Sequence, residues 1–299
     1  MVDEKDFLIL TQLRTNPFAS YETLGRDLGL SGNAAKARVE ALETTQILPL
    51  LHGMPAAQVF QRFPRLFFFK KPIRSAERLD LAIEIDPVVF VTLDVHQKVG
   101  VLTYDFSPSS GPPEKLTTLL GPTELEVTPL FPHPRREFSK PASLGELKVL
   151  RILIANLRVS LKDLSDTTAL SQKMAKKIRN QLLNDGLLQV QPIFQSALSQ
   201  GILLYEVDVH SPDPVVLSRI RQTLPHSVVF NQWDPTAVVF SCWAGSLAEV
   251  FDTEKMLRGE PGVSEVRVKF HTRAVLAMSR LTAWIDAAVQ QRKKTDQIT

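Results

Sequence analysis

The 299-residue chain has a single cysteine, Cys242, so no internal disulfide can brace it. Cysteines and histidines also never gather at the spacing that holds zinc. Long hydrophobic runs are missing. VVFVTL, LPLL and RLFFF are the longest, far below the ~18 residues of a membrane span. The opening MVDEKD is acidic where an export signal is basic, so the expected compartment is the cytoplasm. No charge of one sign dominates: 35 Lys and Arg stand against 32 Asp and Glu, a formal net charge of +3. That balance tolerates a nucleic-acid partner without arguing for one, so the placement of the charges has to decide. Gly25, Gly29 and Gly32 lack the Walker spacing, and no Ser-His-Asp order marks a nucleophile elbow. Cys242 lies in an expected strand and reads as a small buried hydrophobe. With 44% hydrophobic residues and a mean hydropathy of −0.02, a disordered or fibrous chain is excluded.

What is present is a repeat. At a constant offset of 140 residues, Leu10 matches Leu150, Leu13 matches Leu153, Asn16 matches Asn156 and Ser20 matches Ser160. The same offset pairs Leu24 with Leu164, Leu30 with Leu170, Ser31 with Ser171, Lys36 with Lys176 and Leu42 with Leu182. Further on it superposes Val88-Val89-Phe90 on Val228-Val229-Phe230, and Asp94 on Asp234. Two modules of one plan therefore follow head to tail. The proline-rich run PLFPHPRREFSKPA (129–142) cannot be a helix interior and reads as the linker between them.

Each module begins with three short helices. Phe7, Leu10 and Leu13 recur at three-residue steps, Ser20 precedes a second helix, and Ser31 precedes a third. In the second copy Ser143-Leu-Gly-Glu146 and Ser160-Leu-Lys-Asp163 match the capping-box pattern, and Asp185-Gly186 ends the third helix. A short helix, a tight turn and a serine-capped helix make a helix-turn-helix. The β-formers that follow give strand 201–209, helix 214–224, a hairpin, helix 246–258 and strand 264–270. That is the β-α-β-β-α-β order of a ferredoxin-like fold, and the first half follows it less cleanly. The fold class expected is α+β, in five pieces: helix-turn-helix 1–52, ferredoxin-like 53–135, helix-turn-helix 136–192, ferredoxin-like 193–276, and a C-terminal helix and tail 277–299.

Asp6 through Leu48, with LGLS, Arg38-Val39 and Ile47-Leu48, together with 201–270 and its Gly262-Val263, resemble the Lrp/AsnC transcriptional regulators, twice over. Gln46 departs from the glycine usual there, which Gly186 restores, and the hairpin keeps only Asp94 and Asp234 of the usual motif. The resemblance implies a cytoplasmic regulator of double-stranded DNA in which one chain stands as a pseudo-dimer. Edge surfaces of the sensing domains and the C-terminal helix are expected to build a further homo-dimer. It also implies a small-molecule effector near the hairpins, with Asn231, Gln232, Trp233 and Asp234 facing Thr92, Asp94 and His96; the alternative is that Asp234-Pro235 only forms the hairpin turn. No cofactor, metal or membrane partner is expected.

In a helix-turn-helix the third helix enters the major groove. The first copy offers Ser31, Asn33, Lys36 and Arg38, but its string 31–45 holds two acids against two bases. The second offers Ser171, Gln172, Lys173, Lys176, Lys177 and Arg179, with Asp185 as the one acid in 171–185. The lysines suit phosphates, while Gln172 and Asn33 have the amide geometry that reads adenine. Two rival readings remain. One is a fused siroheme-decarboxylase-like enzyme, also built from two Lrp/AsnC-like halves, for which His96, His210, His226, His271, Tyr104 and Tyr205 are the available side chains. The other is a degenerate protein-interaction scaffold. The absence of any local histidine-rich pattern favours a regulator that is not an enzyme.

Overall fold

The computed structural model describes residues 3–44, 52–127 except 74 and 76, 141–191, and 201–296 except 225 and 235. The expected linker therefore lies almost wholly outside the described residues, as do Gln46 and Ile47-Leu48. In the first half α1 (Glu4–Thr15), α2 (Tyr21–Asp27) and α3 (Gly32–Thr44) form the helix-turn-helix. Strand β1 (His52–Pro55) and a 3-10 turn (Ala57–Phe60) follow. Then come β2 (Phe63–Phe69), α4 (Glu77–Ile83), β3 (Val88–Asp94), β4 (Val99–Asp105), α5 (Glu114–Leu120) and β5 (Thr123–Val127). The second half repeats the plan with α6 (Leu144–Leu153), α7 (Leu161–Thr168), α8 (Gln172–Asn184) and β6 (Leu188–Gln191). Its sheet unit is β7 (Leu203–His210), α9 (Pro214–Thr223), β8 (Ser227–Asp234), β9 (Ala237–Ala244), α10 (Leu247–Gly259) and β10 (Glu265–Lys269). The chain closes with β11 (His271–Leu276) and α11 (Met278–Asp296).

Side-chain caps set where the helices begin. Ser143 and Glu146 complete the expected capping box on α6, and Asp3 with Asp6 forms another on α1. Each satisfies two backbone N–H groups that have no partner inside the helix. The turn before each third helix needs a left-handed residue: Gly29 supplies it at φ +64°, and its repeat equivalent Ala169 adopts φ +57°. Glycine takes that conformation freely and alanine does not.

Two sheets result, in the orders β11-β3-β4-β2-β5 and β10-β7-β9-β8. Each has the ferredoxin-like arrangement, with two helices packed on one face around Phe67, Val91 and Leu116 in the first copy and Val207, Phe240 and Leu257 in the second. On the opposite faces, Ala237 and Val239 of β9 meet Leu66, Phe68 and Leu125 of the first sheet.

The two helix-turn-helix domains do not stand apart. Leu10, Leu13, Leu24 and Val39 share one buried core with Leu150, Leu153, Leu164 and Leu182. Each such leucine is worth about 1.5–3 kcal/mol buried rather than exposed, so the two domains hold together as a unit. β1 and β6 seal the joint antiparallel, His52 opposite Gln191 and Gly53 opposite Val190. A Cβ on Gly53 would meet Leu153 O at 2.9 Å, so only glycine allows this approach.

The C-terminal segment departs most from expectation. Residues 271–276, placed by sequence in the second sensing unit, form β11 and pair with β3 of the first sheet, Leu276 opposite Phe90. Helix α11 packs within the chain: Leu281 meets Met54, Leu102 and Tyr104, and Ile285 enters the core shared by the two helix-turn-helix domains. Arg62 lies between the rings of Phe106 and Trp284, 4.1 Å from each centroid, and Arg280 donates to the carbonyls of Ile83, Glu84 and Val88.

Candidate nucleic-acid interface

The buried side of α8 is formed by Ala175 and Leu182, with Ile178 and Arg179 half-buried beside them. Helical spacing therefore turns Lys173, Lys176, Lys177, Asn180 and Asn184 outward, and all five are exposed. The equivalent stripe on α3 is Asn33, Lys36, Ala37, Glu40 and Thr44, also exposed. Position by position, the second copy has Lys for Asn, Lys for Ala and Asn for Glu. On α3 the remaining lysine is partly neutralised, because Lys36 Nζ lies 3.6 Å from Glu40 Oε1. The cationic face belongs to α8.

Several residues expected at DNA have structural duties. Ser31 and Ser171 are N-caps: their hydroxyl oxygens accept from the amides of Ala34 at 3.1 Å and Met174 at 3.2 Å. Arg38 is turned to α1, where it donates to Asp6 Oδ1 at 2.8 Å and to both Asp3 carboxylate oxygens at 2.9 Å. Burial pushes the Asp3 carboxyl up, but the Asp6 amide and Arg38 outweigh it and hold it below the usual range. Arg179 rests on the Phe18 ring, 4.1 Å from its centroid, and its half-burial lowers the guanidinium pKa. Here the first reading domain covers one flank of α8. Arg158 reinforces that seam by donating to Pro17 O and Ala19 O. Gln172 remains exposed at the start of α8. Asn180 and Asn184 escaped sequence reasoning, which weighed charge along the string and not the outward face of the helix.

The expected effector residues separate. Asp94 is buried and accepts from the Lys98 amide at 2.8 Å, within the β3–β4 hairpin. His96, on the tip of that hairpin, is exposed and lines a cleft of about 440 Å³ with Leu247, Phe251, Arg258, Arg267 and Phe270. Asn231, Gln232, Trp233 and Asp234 lie on β8, and their side chains are outside the described residues. Both tyrosines weighed for an enzyme are core groups. Tyr104 donates its hydroxyl to Pro55 O at 2.8 Å, and burial pushes the Tyr205 phenol up to about 12. Among the described residues no cluster of His, Cys, Asp or Glu could hold a metal, and no helix is long and apolar enough to cross a membrane.

The class defined by these features is an α+β chain carrying two helix-turn-helix domains and two ferredoxin-like domains. Residues 2–43 match the AsnC-type helix-turn-helix domain. No curated protein sequence matches the chain. Among solved structures, the siroheme decarboxylase NirDL is similar at a TM-score of 0.49 and 11% identity, over 97% of this chain and 99% of that one. E. coli AsnC is similar at 0.31 and 11% identity, over 46% of this chain and 93% of its own. The regulator NMB0573 of Neisseria meningitidis, solved with L-Met, is similar at 0.31 and 17% identity, over 44% and 88%. Likeness at these identities concerns the fold alone. The expectation of a chain that is not an enzyme is withdrawn, since the solved structure similar over 97% of this chain is that of an enzyme.

Proposed function

We propose that this protein is a cytoplasmic DNA-binding regulator whose principal reader is α8, one chain standing as a pseudo-dimer. The observation that carries the reading is the exposed stripe Lys173, Lys176, Lys177 and Asn180 on the third helix of a helix-turn-helix, with no acid from Ser171 to Asn184. The lysines contact phosphates and position the helix, while the amides of Gln172 and Asn180 face base edges. From α3, Asn33 and Lys36 add a weaker contact. Because the two readers present different side chains, the DNA site is asymmetric and not palindromic. The cleft at His96 takes a small-molecule effector. Edge surfaces of the ferredoxin-like domains, with the C-terminal helix, build a further homo-dimer.

Fluorescence-anisotropy titration of a fragment from upstream of the protein's own gene, at two salt concentrations, tests the reading. The wild type is compared with Lys173→Glu/Lys176→Glu, its fold checked by circular dichroism. Tight, salt-sensitive binding that the variant abolishes supports the assignment. Equal, feeble binding by both overturns it.

A further inference from the structure

A cluster of charged groups lies inside the molecule, where the DNA reading leaves it without a role. His271, the first residue of β11, places Nε2 2.8 Å from Glu206 Oε2 on β7. Beside them Lys269 of β10 pairs with Asp208 of β7, and the Lys269 ammonium lies 4.4 Å from the centroid of Phe68 in the first sheet. The third cation near Glu206 is Arg14 of α1, whose burial pulls its pKa down to about 10 against the pull of Glu206. Asp94 of β3, the register partner of His271, has its carboxylate on the Lys98 amide.

A cavity of about 10 Å³, room for one water, adjoins the pair and is closed by Phe7 of α1 and by Ser241 and Cys242 of β9. Ser241, only 2% exposed, has no hydrogen-bond partner for Oγ, and neither has His271 Nδ1. Phe7 also packs at a tilt against Trp243, ring centroids 4.2 Å apart.

Helix α1 therefore touches this cluster through Phe7 and Arg14, and holds the reading helix α3 through Asp3 and Asp6. We propose that the Glu206–His271 pair is a proton-dependent latch that seats α1 on the second sheet and thereby sets the position of α3. With His271 charged, Glu206 is neutralised in place and α1 closes over the pair. With His271 neutral, a buried carboxylate loses its charged donor, and the seat under Phe7 loosens.

The direction with pH follows from the surroundings. Burial works against the charge on His271, but the Glu206 carboxylate outweighs it, so the imidazole pKa stands above its ordinary value. A group whose folded pKa is raised stabilises fully below its unfolded value, and that contribution is lost as pH rises through the folded value.

Hydrogen exchange followed by mass spectrometry on the full chain, from about pH 6 to about pH 8.5 and corrected for intrinsic rates, tests the latch. The expected result is that α1 and α3 lose about tenfold or more of their protection over that range while α5 and α10, which pack in other cores, keep theirs. His271→Gln should hold α1 and α3 at the low-protection level throughout, and His96→Gln should behave as wild type. Protection of α1 and α3 that ignores pH, falls equally in α5 and α10, or still titrates in His271→Gln overturns the proposal. Should His271→Gln fail to fold, the wild-type imidazole titration by NMR decides: a midpoint coinciding with the exchange change supports the latch, and a different midpoint overturns it. No DNA enters the measurement, so its outcome is independent of the DNA-binding reading.

Discussion

Arg38 Nη1 sits 2.8 Å from Asp6 Oδ1, and the same nitrogen reaches Asp3, so a guanidinium carried on the reading helix is part of the α1–α3 joint. Asp6 is almost fully buried and has Arg38 as its ion-pair partner. Arg38→Ala should lower stability by about 1.5–3 kcal/mol, the worth of hydrogen bonds to a charged group. Urea unfolding measures it. If Arg38 were instead a free DNA contact, the variant would keep its stability and lose only affinity.

Charge reversal at equivalent positions should have unequal effects. Lys176→Glu removes a cation from an all-basic stripe, whereas Lys36→Glu alters a helix already balanced by Glu40. DNA affinity should fall more than about tenfold for the first and less than about threefold for the second, with the salt slope reduced by about 1 for each phosphate no longer bound. Anisotropy titrations of both variants at two salt concentrations supply the numbers, and equal losses would contradict the asymmetry of the readers.

Ala169 adopts the left-handed conformation that Gly29 adopts at the same place in the first copy. Ala169→Gly should therefore stabilise the second helix-turn-helix by about 0.5–1 kcal/mol, visible as a higher Tm. A lower Tm would mean that the methyl group contributes packing that exceeds its backbone cost.

Glu206 brings an acid limit to stability. Burial raises its pKa, but His271, Lys269 and Arg14 outweigh burial and hold it below the usual value of 4.5. A carboxylate with a lowered folded pKa stabilises above its unfolded value, and the contribution disappears as pH falls through the folded one. Urea midpoints measured below pH 4.5 should thus drop more steeply in the wild type than in Glu206→Gln. Parallel curves would show that the pair contributes nothing.

Cys242 is buried against Glu206 and Tyr205, and burial pushes its thiol well above the ordinary range. A thiol held neutral is a poor nucleophile. A colorimetric thiol reagent should leave the native chain unreacted and titrate one group per chain after denaturation. Fast reaction of the native protein would place this strand at the surface.

Much of the fold was legible because its causes are local. The capping box at Ser143 and Glu146, the glycine at 186 and the strand-forming runs at 203–210 and 237–244 act through neighbours in sequence. The shared outward face of Lys173, Lys176 and Lys177 on α8 was legible for the same reason. Arg38 and Arg179 were not, because Asp3, Asp6 and Phe18, which hold them, are distant or lie on other helices. That Asp94 accepts from the Lys98 amide within the β3–β4 hairpin was not legible from its match to Asp234 along the repeat.

By itself the sequence determined the α+β class, the tandem plan and the three-helix start of each half, since capping, periodicity and turn chemistry operate over a few residues. Only the tertiary structure decided that the two reading domains share one core, that β11 crosses to the first sheet and that Glu206 meets His271. Those are contacts between residues 65 or more positions apart, chosen by which apolar faces bury each other and which charges are left inside. No pattern along the chain encodes that choice.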